Sequence, residues 1–157
     1  MSKLRVLFVC IGNSCRSQMA EGFARKYGGD VMEPCSAGLY PAAMVAPLTQ
    51  KVMLEKNIDL SDHFPKTLAE LGGGRVDVLI NMSGQKLPAP AGTSVEEWTV
   101  QDPIGMSEDV FRTVANEIEQ RVMRLVLAMR SRLPRADQPA AQTGRRFDGR
   151  RRVPDNK

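Results

Sequence analysis

The chain has one histidine, three cysteines and eight aromatic residues in 157. Each scarcity excludes something. A lone His63 leaves no His-rich metal site and no evident Ser-His-Asp triad, and Cys10 and Cys15 are spaced poorly for zinc. An odd cysteine count without framework spacing excludes a small disulfide-stapled secreted fold. No apolar run reaches 18 residues, so no membrane-spanning helix is expected. The first apolar stretch is short and soon broken by Gly12 and Asn13, unlike a signal peptide. Internal repeats are absent. These exclusions point to a cytoplasmic protein without a metal or other cofactor.

What is present reads as one globular domain. Apolar residues make up 42% and charged residues 25% of the sequence, an ordinary balance. The length suffices to bury roughly two thirds of the unfolded surface. The net charge of +4 belongs to the C-terminal stretch. Residues 134–157 hold six Arg, one Lys and three Asp, while the first 133 residues carry 15 charges of each sign. The body is therefore neutral, which argues against a nucleic-acid face. The expected division is a catalytic domain over 1–133 and a basic, disordered tail over 134–157, rich in Pro, Gln, Gly and Arg.

Strands and helices alternate. Leu4–Val9, Val31–Ala37, Val76–Ile80 and Val95–Val100 read as strands. Helices are expected from about Ser17 to Tyr27, from Pro47 to Lys56 with Leu48, Val52 and Leu54 inward, over Pro65–Leu71, and from Ser107 to Arg132. The last carries one apolar stripe through Val110, Val114, Ile118, Val122, Leu125 and Met129. Such alternation implies parallel strands joined by helical crossovers, with ligands bound at the carboxyl ends of the strands.

Cys10 ends the first strand and opens the segment Cys10-Ile11-Gly12-Asn13-Ser14-Cys15-Arg16-Ser17. A thiolate is a nucleophile; a thiol is not. Amide N–H groups curling round a loop, with the positive end of the following helix, favour an anion there and also bind a phosphate-like oxyanion. Gly12 permits the curl. Asn13 tolerates left-handed geometry and can bond the backbone. Arg16 offers a planar fork for two oxyanion oxygens, and Ser17 can donate to the sulfur. Asp102 follows a strand and precedes Pro103, which restrains it to extended backbone in a loop.

This segment resembles the signature of the low-molecular-weight protein tyrosine phosphatases. It is similar also to that of the thioredoxin-coupled arsenate reductases, which share the fold. The likeness runs over about residues 4–133 and includes Ser36-Ala37-Gly38 and Asp102-Pro103. It implies a flavodoxin-like, three-layer α/β fold with a four-stranded parallel sheet and helices on both faces. It implies Cys10 as nucleophile, Arg16 as oxyanion clamp and Asp102 as general acid and then base. Ile11, Gly12, Asn13, Ser14, Cys15 and Ser17 would form the phosphate-binding loop. Ser36 and His63 would support the loop asparagine. Cys15 would form a protective disulfide with Cys10 or serve as a buried structural thiol.

Two departures bear on substrate. The phosphatases line the pocket with aromatic rings where this chain has Ala42 and Ile104, although Tyr40 could replace the first. The reductases pass oxidation to two cysteines after the third strand, and here Asn81-Met82-Ser83-Gly84 and Pro88-Ala89-Pro90 hold none. Reduction would need an external thiol. On these residues hydrolysis of a phosphorylated protein or small phosphomonoester is favoured over arsenate reduction, with a non-catalytic phosphate-binding module as a third possibility.

Overall fold

The computed structural model describes residues 3–132; the basic tail lies outside them. Four parallel strands, β1 (Leu4–Cys10), β2 (Met32–Gly38), β3 (Val78–Asn81) and β4 (Ser94–Glu97), form one sheet in the order β2-β1-β3-β4. The chain leaves β1 for one side, then crosses back over it to β3. The carboxyl end of β1 is therefore the switch point, where neighbouring connections diverge and leave a crevice. Cys10 stands there.

Three helices, α1 (Arg16–Gly28), α2 (Pro47–Glu55) and α3 (Glu108–Ser131), share one core with the sheet. Side chains alternate along a strand. Val6, Phe8 and Cys10 of β1 enter this core, while Leu7 and Val9 enter a smaller one with Ala37 and Leu79. That second face carries a 3-10 turn at Ala69–Leu71 and extended chain. Within the expected Pro65–Leu71 helix only these three residues close a helical turn, and Gly72-Gly73-Gly74 follows directly.

The stripe of α3 is buried through Val114, Ile118, Val122 and Met129, with Phe111, Ala115 and Val126 added; Val110 and Leu125 are only partly buried. Ser107 caps this helix by accepting from the Val110 N–H at 3.4 Å, with Glu108 and Asp109 complementing the dipole in the first turn. In α2, Thr49, Val52 and Met53 face inward and Leu54 is exposed, contrary to the expected inward Leu54. A nine-residue helix starting at Pro47 presents 49, 52 and 53 on one side, and position 54 falls 100° further round. The fourth strand stops at Glu97, but Trp98 and Val100 remain buried, and Trp98 packs against Phe8 with ring centroids 6.0 Å apart. No helix among the described residues is long and apolar enough to cross a membrane.

Candidate active site

The loop from Cys10 to Arg16 is held by its carbonyls. Leu39 N–H donates to Cys10 O, Tyr40 N–H to Ile11 O, Ala42 N–H to Gly12 O and Ala46 N–H to Ser14 O, at 2.8–3.2 Å. The Ser14 hydroxyl donates to Met44 O at 3.0 Å. With its oxygens turned to residues 39–46, the loop leaves the N–H groups of Gly12 through Arg16 without an acceptor among the described residues. Those N–H groups run into the N-terminus of α1, whose cap residue Cys15 supplies no side-chain bond. Unsatisfied donors and the helix dipole together favour an oxyanion.

The left-handed residue is Asn13, with φ +48°. Gly12 does not take that role, and a Cβ there would meet only ordinary contacts at 3.8 Å. The close approach falls instead at Gly38 after β2. A Cβ on Gly38 would lie 2.8 Å from both Asn13 N and Ile11 O, so only glycine lets β2 pass beneath the loop.

Cys10 Sγ is 2.9 Å from Ser17 Oγ. Asn13 Nδ2 donates to that hydroxyl at 2.8 Å, which frees the Ser17 proton for the sulfur. Asn13 Oδ1 accepts from Lys66 N–H at 3.0 Å and from Gln18 Nε2 at 3.1 Å. Gln18 Nε2 also donates to Phe64 O at 3.2 Å, and Gln18 Oε1 lies 2.9 Å from His63 Nδ1. His63 therefore meets the loop asparagine through Gln18 and has no direct contact with it. Its Nδ1 is also 3.2 Å from Glu21 Oε2. Ser36, expected beside Asn13, instead donates to Glu21 Oε1 at 3.0 Å. Burial lowers the pKa of His63, with the Glu21 carboxylate pulling it up and Arg25 and Lys66 pulling it down.

Arg16 is 7% exposed. Its Nη1 donates to Met82 O at 2.7 Å and Val100 O at 3.1 Å, which pins the guanidinium between the chain leaving β3 and the chain leaving β4. Its Nη2 is 3.5 Å from Asp102 Oδ2. The Asp102 carboxylate is about half exposed and its Oδ1 accepts from Ile104 N–H at 3.2 Å. Asp102 thus stands beside the Arg16 guanidinium. Tyr40 and Met44, on the stretch bonded to the loop, and Ile104, two residues after Asp102, are exposed.

Cys15 is buried, and burial pushes its pKa up to about 11 while the neighbouring Thr49 hydroxyl pulls down. Cys10, Cys15 and Cys35 are all free thiols. Cys35 lies in β2, where its Sγ–H reaches Val6 O at 3.5 Å. Among the described residues no three His, Cys, Asp or Glu side chains gather as a metal site.

Sequence reasoning missed Gln18 and Glu21, both less than 6% exposed. A signal existed: Ser14, Gln18, Glu21 and Arg25 recur at three- and four-residue spacing, a polar stripe beside the apolar one of Met19, Ala20, Phe23 and Ala24.

Strand, cysteine loop and the arginine–aspartate pair belong to an α/β protein with a thiol at the carboxyl end of its first parallel strand. The model of the low molecular weight phosphotyrosine protein phosphatase family matches residues 5–136, and the chain belongs to that family. It is 38% identical over 126 residues to the glutaredoxin arsenate reductase of Synechocystis, spanning 78% of this chain and 95% of that protein. It is also 38% identical over 132 residues to the arsenate reductase of Halalkalibacterium halodurans, spanning 78% and 94%. Among solved structures, an arsenate reductase in the phosphate binding state superposes with TM-score 0.72 at 35% identity, over 80% of this chain and 98% of that one. The low molecular weight protein tyrosine phosphatase of T. tengcongensis superposes with TM-score 0.66 at 29% identity, over 80% and 99%.

Proposed function

We propose that this protein reduces arsenate at Cys10 with electrons from external thiols. The observation that carries the reading is a loop equipped for a small tetrahedral oxyanion beside a segment, Asn81 to Pro90, that holds no cysteine. The similarity to arsenate reductases supports the oxyanion, and Ala42 and Ile104 leave the wall without the rings that suit a phosphotyrosine.

Cys10 Sγ attacks arsenic and the leaving hydroxide departs as water, with its proton relayed by Asp102. The product is a Cys10–S–As(V) ester held by Arg16 and the loop amides. An external thiolate then attacks Cys10 Sγ. The S–As electron pair leaves with arsenic as arsenite, and a mixed disulfide forms on Cys10. A second thiol releases the symmetrical disulfide and restores Cys10. Two thiols supply the two electrons.

A second reading, hydrolysis of a phosphomonoester through a cysteinyl-phosphate, is favoured by the exposed ring of Tyr40, whose backbone is tied to Ile11. Asp102 would then protonate the leaving oxygen and activate water. A side-by-side assay separates the two. Arsenite release that requires glutathione or another monothiol, and disappears in Cys10→Ser, is expected, with a loss of at least about 10³-fold. Aryl phosphate turnover without thiol-driven arsenite release would transfer the assignment to the second reading. Neither turnover, with phosphate affinity lost in Arg16→Ala, would leave a binding module.

A further inference from the structure

The hydrogen-bond chain behind Cys10 has a fixed polarity, and two backbone groups set it. Lys66 N–H can only donate, so the Asn13 atom facing it is Oδ1. Asn13 Nδ2 must then face Ser17, and the Ser17 proton is left to point at Cys10. Phe64 C=O can only accept, so the Gln18 atom facing it is Nε2. Gln18 Oε1 is then the acceptor that faces His63, whose Nδ1 carries the proton. Gln18 is fully buried, and its amide meets three groups at once: Asn13, Phe64 and His63.

We infer that Gln18 is a positioning residue that locks the Asn13 amide in the orientation which sends the Ser17 proton to the Cys10 sulfur. The inference rests on Cys10 being the reacting thiol. If the amide of Asn13 turned over, its Oδ1 would take the Ser17 proton and leave the sulfur without a donor. A single backbone bond from Lys66 opposes that flip; the Gln18 donor makes it two. Titration of His63 does not undo the lock, because its Nδ1 is protonated in both charge states and only Nε2 changes.

Two substitutions test this. Gln18→Leu keeps the bulk and removes the donor. Gln18→Glu places a carboxylate against two acceptors, Asn13 Oδ1 and Phe64 O, and regains one donor when protonated. The charged groups that act on His63, the neighbour of Gln18, are Glu21 and Arg25 on α1 and Asp62 and Lys66 on the loop after α2. In Gln18→Leu, alkylation of Cys10 by iodoacetamide at pH 7, followed by peptide mass spectrometry, is expected to slow about tenfold. Catalytic turnover should fall by a similar factor through kcat, with KM for the oxyanion little changed. In Gln18→Glu, Cys10 reactivity relative to the parent should recover as pH falls through the titration of the new carboxyl. Alkylation needs no substrate, so a failed arsenate assay with slowed alkylation sinks the proposed reaction and spares this inference. Parent-like alkylation in Gln18→Leu, or a Gln18→Glu ratio independent of pH, overturns the inference. Should Gln18→Leu not fold, the pH ratio of Gln18→Glu decides alone.

Discussion

On one face of the sheet, β1 sends Val6, Phe8 and Cys10 into a core closed by α1, α2 and α3. On the other, Leu7 and Val9 meet Ala37 and Leu79 under a 3-10 turn, a triple glycine and a proline-rich stretch. A cavity of about 290 Å³ opens there between Leu71, Val76, Leu79 and Leu87. The contrast shows where positional precision is kept. The Cys10 loop grows from the thick face through α1, and it is tied by polar bonds at the seam where residues 63–66 meet Asn13, Gln18 and Gly38. Among the described residues, no hydrogen bond runs from the segments that cover the thin face, 69–74 and 85–93, to residues 10–17.

The sharpest break of this contrast is at the seam itself. Gly38→Ala puts a Cβ 2.8 Å from Asn13 N and Ile11 O. Backbone cannot yield as a flexible side chain does, so the loop must shift off its carbonyl ties. Stability is expected to fall by about 3 kcal/mol in urea titration, and turnover about 100-fold, because the amide cradle opens. Parent-like turnover in a folded Gly38→Ala would mean that the loop tolerates displacement, and the seam would lose its special standing.

The next comparison, a difference of about 2 kcal/mol, is a matched pair on β3. Ile80 is fully buried on the thick face and Leu79 is 5% exposed on the thin one. Both lose about the same number of carbons on truncation. Ile80→Ala is expected to cost about 4 kcal/mol and Leu79→Ala about 2, since loop chain collapses on a cavity more readily than three packed helices do. Urea midpoints compared at equal m-value measure the difference. An equal or reversed order would show that the covering loops pack as firmly as the helices.

Much of the thick face was legible in the sequence, because α1 and α3 carry helical periodicity in residues that have no other reason to recur. The Cys10 loop was legible too, since a strand, a glycine, an asparagine and an arginine in that order restrict one another. The thin face was not: Pro65–Leu71 has helical composition, but its proline start and glycine stop leave too few residues to repay helix nucleation. The residues behind the loop were harder still. Ser36 and His63 meet at Glu21 and Gln18, and nothing local in positions 36 or 63 reveals a partner 15 or 45 residues away. Gly38 reads as a turn glycine; its reason is the backbone of a segment 25 residues earlier.

The smallest effect concerns His63, at the same seam. Its side chain is 17% exposed and its pKa lies below the usual 6.5, with burial the largest cause and Glu21 opposing it. A histidine depressed in the folded state binds protons more readily when unfolded. Its contribution to stability is therefore whole above the unfolded value, near pH 6.5, and shrinks as pH falls below it. The slope cannot exceed one proton, about 1.4 kcal/mol per pH unit, and levels off once the folded imidazole titrates. Urea stability measured at half-unit steps from about pH 7.5 to 4.5 should show this descent in the parent. In His63→Gln, which keeps a side-chain N–H for Gln18 and Glu21, the descent should be shallower by the histidine's share, leaving that of the ion-paired carboxylates, although the variant is less stable at neutral pH. Parallel curves would mean that the imidazole takes up its proton as easily in the fold as out of it. Burial at the seam would then be looser than the packing of Gln18 and Glu21 around it requires.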